Sequence, residues 1–328
     1  MRGTFGLRNF EMVPLMFFFN FHTKIYNFII KGKRKGCKVL HVIFKNTMIE
    51  RGKKQEGIMN LFDFTYCGNY NRQIQRLAQM APEKWDFGEV RDNAVLKGYL
   101  EQTFRRLYEE GKVLETEEYA IFNTGLFTRY YQPIYAYFVP NLVPERQRWF
   151  LEGFYSEYSL LKAKIAALPE KAEYITNPSD LVFDTRLEIV PQYEHIFGDE
   201  ENAQRLPGSV RESSMRVQLF DGALGRTRRM LEADYRTAIP QYYNHSIQLL
   251  IPICLQNPEK PDVALACMKT ADGGRYLGRT CLTLKMAYHN ARLLSRMEGS
   301  WLFRCLEQGE GAGRTFCAGA VQKRKIMV

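Results

Sequence analysis

Three apolar runs packed into residues 247–284 constrain this chain most. IQLLIPICL (247–255), VALACM (263–268) and YLGRTCLTL (276–284) are separated only by QNPEKPD and TADGG. Both connectors are turn chemistry, rich in Pro, Asn, Asp and Gly. The runs therefore read as an antiparallel three-stranded meander. Pro252 has no N–H to donate, so its strand is expected to lie at an edge or a bulge there. Thr283 is placed as the N-cap of a final helix, LKMAYHNARLL, with Met286, Ala287, Ala291 and Leu294 as its apolar face.

Upstream, helical and strand patterns alternate irregularly. Asn71–Met80 reads as a short helix ended by Pro82. Asp92 or Asn93 caps a stronger one, where Val95/Leu96, Tyr99/Leu100, Phe104 and Leu107/Tyr108 share a stripe and Gly111 is the stop. Strands are expected over 113–122 and 133–139, joined by NTGLFTRYYQ. Residues 145–167 read as a helix, 181–190 as a strand and Arg216–Arg236 as a helix. The expected class is α+β, with helices packed on antiparallel sheets and the meander and helix at the C-terminal end.

Charge divides the chain. Residues 1–58 hold 12 Lys and Arg against 3 Asp and Glu, and the remaining 270 residues hold 34 against 33. The excess charge thus belongs to one piece, which is also rich in Phe, Ile, Lys and Asn. Lys24, His22, Asn20 and Asn27 interrupt its apolar run, which falls short of the roughly 20 mostly apolar residues a membrane span needs. A basic cluster follows that run instead of preceding it, which is the reverse of a signal peptide. Gln55-Glu56-Gly57 can be encoded by a bacterial ribosome-binding sequence just before Met59, so 1–58 is expected to be an untranslated leader. The folded unit is expected to be a single α+β domain over 59–302, with a possible sub-boundary near 140–150. A Gly/Ala-rich tail, 303–328, is expected to be disordered. The chain's seven cysteines include no C-x-x-C pair and read as reduced thiols of a cytoplasmic, membrane-free protein.

The familiar reaction signatures are absent: no G-x-G-x-x-G, G-K-[ST], H-E-x-x-H or G-x-S-x-G. Nothing calls for a catalytic residue, a metal or a cofactor. His195 stands in an acidic stretch that reads as a solvated loop, and His289 reads as a partly packed helix residue. Basic and aromatic residues interleave at Arg129-Tyr130-Tyr131 and across Arg226, Arg228, Arg229, Arg236, Tyr242 and Tyr243. Such mixtures hold single-stranded nucleic acid, since phosphates take Arg and unstacked bases take aromatic faces. An ordinary solvated face with core tyrosines has the same composition.

FNTGLFTRYYQPIYAYF, QYYNHSIQLLIPICL and LGRTCLTLKMAYHNARLL with Trp301-Leu302 occur in order, and together they resemble a bacterial domain of unknown function, family 3825, the OST-HTH-associated domain. The resemblance runs from about residue 61 to 302. It implies an RNA-linked context, because OST-HTH modules are predicted RNA binders, and it implies no activity. No OST-HTH module stands beside the domain here. Residues 71–139 could form a winged-helix-like half with Lys97, Arg105 and Arg106 on its second helix. Within the matched motifs, Asn123, Thr124, Arg279, Asn290 and Arg292 are candidates for ligand contact. Each also has a structural reading, such as a tight turn at Asn123-Thr124-Gly125.

Three functions follow as expectations. The first is a non-catalytic module that binds single-stranded RNA or an RNA-processing partner such as an OST-HTH protein. The second is a small-ligand-binding or hydrolytic enzyme with its site near Asn123, Arg279 and Arg292. The third is a protein-interaction scaffold.

Overall fold

The computed structural model describes residues 59–86, 92–165 and 167–307. The basic segment 1–58, expected to be a leader, and residues 308–328 of the expected tail lie outside them. The first half runs α1 (Leu61–Phe64), β1 (Thr65–Tyr66), α2 (Tyr70–Met80), α3 (Ala94–Glu109), β2 (Leu114–Glu115), β3 (Ala120–Phe127), β4 (Pro133–Pro140), β5 (Trp149–Ser156) and α4 (Glu157–Lys162). The second runs β6 (Glu188–Pro191), α5 (Glu200–Ala203), α6 (Gly208–Arg211), α7 (Arg216–Ala233), β7 (Ile239–Tyr243), β8 (Ser246–Ile253), β9 (Val263–Lys269), β10 (Arg275–Leu282), α8 (Leu284–Arg292) and α9 (Trp301–Glu307).

The strands form two five-stranded sheets, ordered β1-β5-β4-β3-β2 and β6-β10-β9-β8-β7. The meander β8–β9–β10 is antiparallel, as its connectors require, and helix α8 follows it. Each sheet also carries one parallel edge strand, β1 along β5 and β6 along β10, so neither is purely antiparallel. Alternation along β8 sends Leu250 to one side and Leu249, Ile251 and Ile253 to the other. The first side joins α8, α9, α3 and the inner face of the first sheet in one core, and the second side packs on Phe220, Leu224 and Leu231 of α7. The layers are therefore sheet, helices, sheet, helix.

Pro252 is tolerated for the reason its chemistry demands. β8 has neighbours on both sides, but its pairing with β7 stops at Leu250, two residues short of the proline. Thr227 on α7 donates its hydroxyl to the Pro252 carbonyl at 2.6 Å.

Several elements depart from the local pattern. Residues 149–156 are a strand, not part of a helix, because WFLEGFYS finds two partners, β4 and β1. Its aromatic residues suit a pleated surface as well as a helical stripe. Only Glu157–Lys162 of the expected helix is helical. The supposed sub-boundary near 140–150 falls between two strands of one sheet. VLETEEYAIF turns back on itself at Thr116, whose hydroxyl accepts the amides of Glu118 and Tyr119. Asn123-Thr124-Gly125 lies inside β3 at an irregularity in its register, and the turn is confined to Thr128–Gln132. In the stretch 181–190, Asp184 closes a turn with Arg186 and Leu187, leaving a strand only from Glu188. Helix α7 ends at Ala233, so Arg236 stands in a short 3-10 turn beyond it. Helix α9 continues into the supposed tail, with Cys305 buried.

Among the described residues, 71–139 form no separate winged-helix half. The strands β3 and β4 belong to the five-stranded sheet, while Arg105 is bound to Asn60 and Arg106 to Glu110. No helix among the described residues is long and apolar enough to cross a membrane.

Candidate functional site

The inner face of the second sheet is apolar at one end and polar at the other. Gln241 on β7 stands directly opposite Gln248 on β8, and Ala266 on β9 opposite Thr280 on β10. Helix α8 roofs this polar end. Thr283 caps it by accepting the Met286 amide, and the spacing of Lys285, Met286, His289 and Asn290 turns them toward the sheet. The space between is a cleft of about 890 Å³.

Its centre is a relay of amides. Asn290 Nδ2 donates to Gln241 Oε1 at 3.0 Å, and Gln241 Nε2 donates to Gln248 Oε1 at 2.9 Å. Gln241 is 1% exposed. Burial of so polar a group is tolerated because both ends of its amide are satisfied. The relay leaves the Asn290 carbonyl and the Gln248 amino group for a ligand, one acceptor and one donor.

The rim is built by three local devices. Between β7 and β8 the two-residue loop Asn244-His245 has φ values of 48° and 58°, the twist that a tight hairpin needs. It brings Tyr243, Asn244 and Ser246 to the cleft. On β10 the register jumps between Gly278 and Thr280, so Arg279 is the extra residue of a bulge that re-aims its side chain. Gly278 is needed there, since a Cβ would stand 2.8 Å from Leu265 Cδ2. Arg205, just beyond α5, reaches the Cys281 carbonyl while pairing with Glu201 at 2.6 Å.

Arg205, Arg279, Lys285, His195 and His289 thus line the cleft; among the described residues no Asp or Glu lines it, and Glu201 reaches Arg205 from outside. Burial, reinforced by Lys285, lowers the pKa of His289, which keeps its ring neutral at pH 7. Among the described residues no group of three or more His, Cys, Asp and Glu converges as metal ligands would. A second concavity of about 630 Å³ contrasts with the cleft. Its cations Lys112, Lys171 and Arg292 share the lining with Glu170 and Glu173.

The structure brings Arg279, Asn290 and Tyr243 together in the cleft and disperses the other sequence candidates. Thr124 is fully buried, donating to the Ile134 carbonyl at 2.6 Å and accepting the Leu126 amide. Asn123 accepts the Gly125 amide. Arg292 is buried against Glu83, Trp85 and Tyr99. Arg226 and Arg229 are exposed on α7, across the second sheet from the cleft. Arg236 is paired with Asp234, and Tyr242 meets Tyr174 edge to face at 4.8 Å. Arg129, Tyr130 and Tyr131 are exposed on the β3–β4 turn. The sequence reading missed Gln248, Arg205 and Lys285, and it placed Gln241 only beside the basic and aromatic residues that follow α7. The signal for the two glutamines is QYYNHSIQ, where they flank a two-residue hairpin symmetrically.

Fold and site define an α+β domain with a cationic, amide-centred cleft on one sheet. Residues 77–301 match the family model for Domain of unknown function (DUF3825), and the chain belongs to that family. No curated protein and no solved structure matches it.

Proposed function

We propose that the domain is a non-catalytic module that binds single-stranded RNA in this cleft. One observation carries the reading: Arg279 and Lys285, together with an Arg205 that Glu201 partly neutralises, surround a buried amide relay. Arg205, Arg279 and Lys285 take phosphates. The Asn290 carbonyl and Gln248 amino group meet the edge of one base, and Tyr243 offers a ring at the rim. The resemblance to OST-HTH-associated domains favours RNA as the polyanion and an OST-HTH protein as a partner.

Binding of labelled single-stranded RNA to the full chain across a salt series tests this. Each lost phosphate contact removes about 0.7 from the slope of log K against log salt. Arg279→Ala with Lys285→Ala should therefore flatten the slope by roughly 1.4. Arg226→Ala with Arg229→Ala, on the α7 face, should leave it unchanged. Salt-independent binding, or loss only in the α7 pair, overturns the cleft as the site. The enclosed floor of the cleft also favours a second reading, a small phosphorylated ligand. Full competition by mononucleotides at concentrations comparable to the RNA would favour that reading.

A further inference from the structure

The first sheet presents a different chemistry on its outer face. Residues 120, 122, 134, 136 and 138 point inward to the main core, so Tyr119, Ile121, Tyr135 and Tyr137 point outward. Ile121, Tyr135 and Leu160 form a small buried base there. On it lies a row of half-buried tyrosines. Tyr119 and Tyr137 stack with centroids 5.6 Å apart and planes 26° apart, and Tyr155 meets Tyr137 edge-on at 6.1 Å. Gly153 stands opposite Tyr137 on β5, beside this row. The Tyr155 ring lies 3.5 Å from where a Cβ would stand.

Carboxylates surround the row. Glu152 accepts the Tyr155 hydroxyl, and Glu118 and Glu157 act on Tyr137 and Tyr135 respectively. Arg76 lies within electrostatic reach of Tyr155 and is outnumbered by these acids. Flat tyrosine faces edged by carboxylates match one side chain better than any other. A guanidinium is planar, stacks on aromatic rings and forks onto a carboxylate, whereas an ammonium does only part of this.

We propose that this outer face of the first sheet docks an arginine-bearing segment of a partner protein. The face is independent of the cleft, whose charge is opposite. Separate elements build the two, so one domain can hold a polyanion and a basic protein segment together.

The test is fluorescence anisotropy of a labelled peptide of alternating Arg and Gly with the full chain, beside its Lys-for-Arg counterpart. The Arg peptide should bind, and the Lys peptide should bind about fivefold more weakly. Glu118→Gln with Glu152→Gln preserves shape and removes charge, and it should weaken Arg-peptide binding about tenfold. Tyr119→Ala, at the end of the row, should weaken it about fivefold while leaving the melting temperature close to that of the parent. Arg279→Ala with Lys285→Ala should leave it unchanged. Equal binding of both peptides, or unaltered binding in the Gln pair, overturns the proposal. So does a face that instead closes on a second copy of the chain, seen as a concentration-dependent dimer that binds no peptide.

Discussion

Replacing Glu83 is the most searching test of how this domain holds together. Its carboxylate receives Arg292 through both Nε and Nη2 at 2.7 Å. Arg296 Nε stands 3.1 Å from the other oxygen, off the line a hydrogen bond needs, so that contact is one of charge alone. The Glu83 and Arg292 side chains are 4% and 8% exposed. The Arg292 guanidinium lies 4.8 Å from the ring centroids of both Trp85 and Tyr99. In Glu83→Ala, Arg296 is 40% exposed and turns to water, but Arg292 stays buried without a counter-charge. Breaking one partner of a buried pair costs about 3–5 kcal/mol. The two rings retain about 1–2 kcal/mol of favourable interaction with the cation, which places the cost at the lower end, near 3 kcal/mol. For a domain of this size that lowers Tm by roughly 6–12 °C. Urea midpoints of the full chain, followed by far-UV circular dichroism, measure it. Adding Arg292→Met to Glu83→Ala should restore most of the loss, because apolar packing replaces the stranded charge. A single-variant loss below about 1 kcal/mol, the level of a surface pair, refutes the assignment. So does a double variant no more stable than the single one.

Other outcomes follow from particular residues. Gly278→Ala drives a Cβ to 2.8 Å from Leu265 and should cost about 1–3 kcal/mol by urea denaturation, with reduced RNA affinity as Arg279 is displaced. His245→Gly relieves a left-handed residue in the β7–β8 loop and should raise stability by about 1 kcal/mol in the same assay. Burial lowers the pKa of His289 below the ordinary histidine value of 6.5, so the unfolded chain takes up its proton first. The stability this residue contributes is therefore complete above 6.5 and is lost as pH falls from there toward its lower folded value. Urea midpoints of the wild type should drop across that window relative to those of His289→Gln, and parallel curves would refute the assignment.

Local chemistry was legible where it acts over a few residues. Thr283 caps α8, Gly111 stops α3 with φ of 66°, and the connectors of the meander turn where their Pro, Asn and Gly stand. Legibility failed where a segment suits two states. WFLEGFYS carries aromatic residues at spacings that fit a helix and a strand, and only the flanking strands β1 and β4 select the strand. NTG carries turn chemistry and uses it, since Asn123 and Thr124 accept the Gly125 and Leu126 amides and Gly125 has a φ of 72°, but the bend is an irregularity inside β3 because pairing with β4 resumes at Phe127.

The sequence by itself determined the class, the meander with its closing helix, and the near-neutral charge of residues 59–328 beside a basic N-terminal segment, because these depend on periodicity and composition. Only the tertiary structure decided the site. Asn290 meets Gln241 across 49 residues, and Arg292 meets Glu83 across 209. Side chains that look alike in HNARLL are thereby divided, one facing a cleft and one locked in the core. The physical reason is range: capping and turn preferences act within one turn of chain, whereas burial chooses partners among surfaces that only folding brings together.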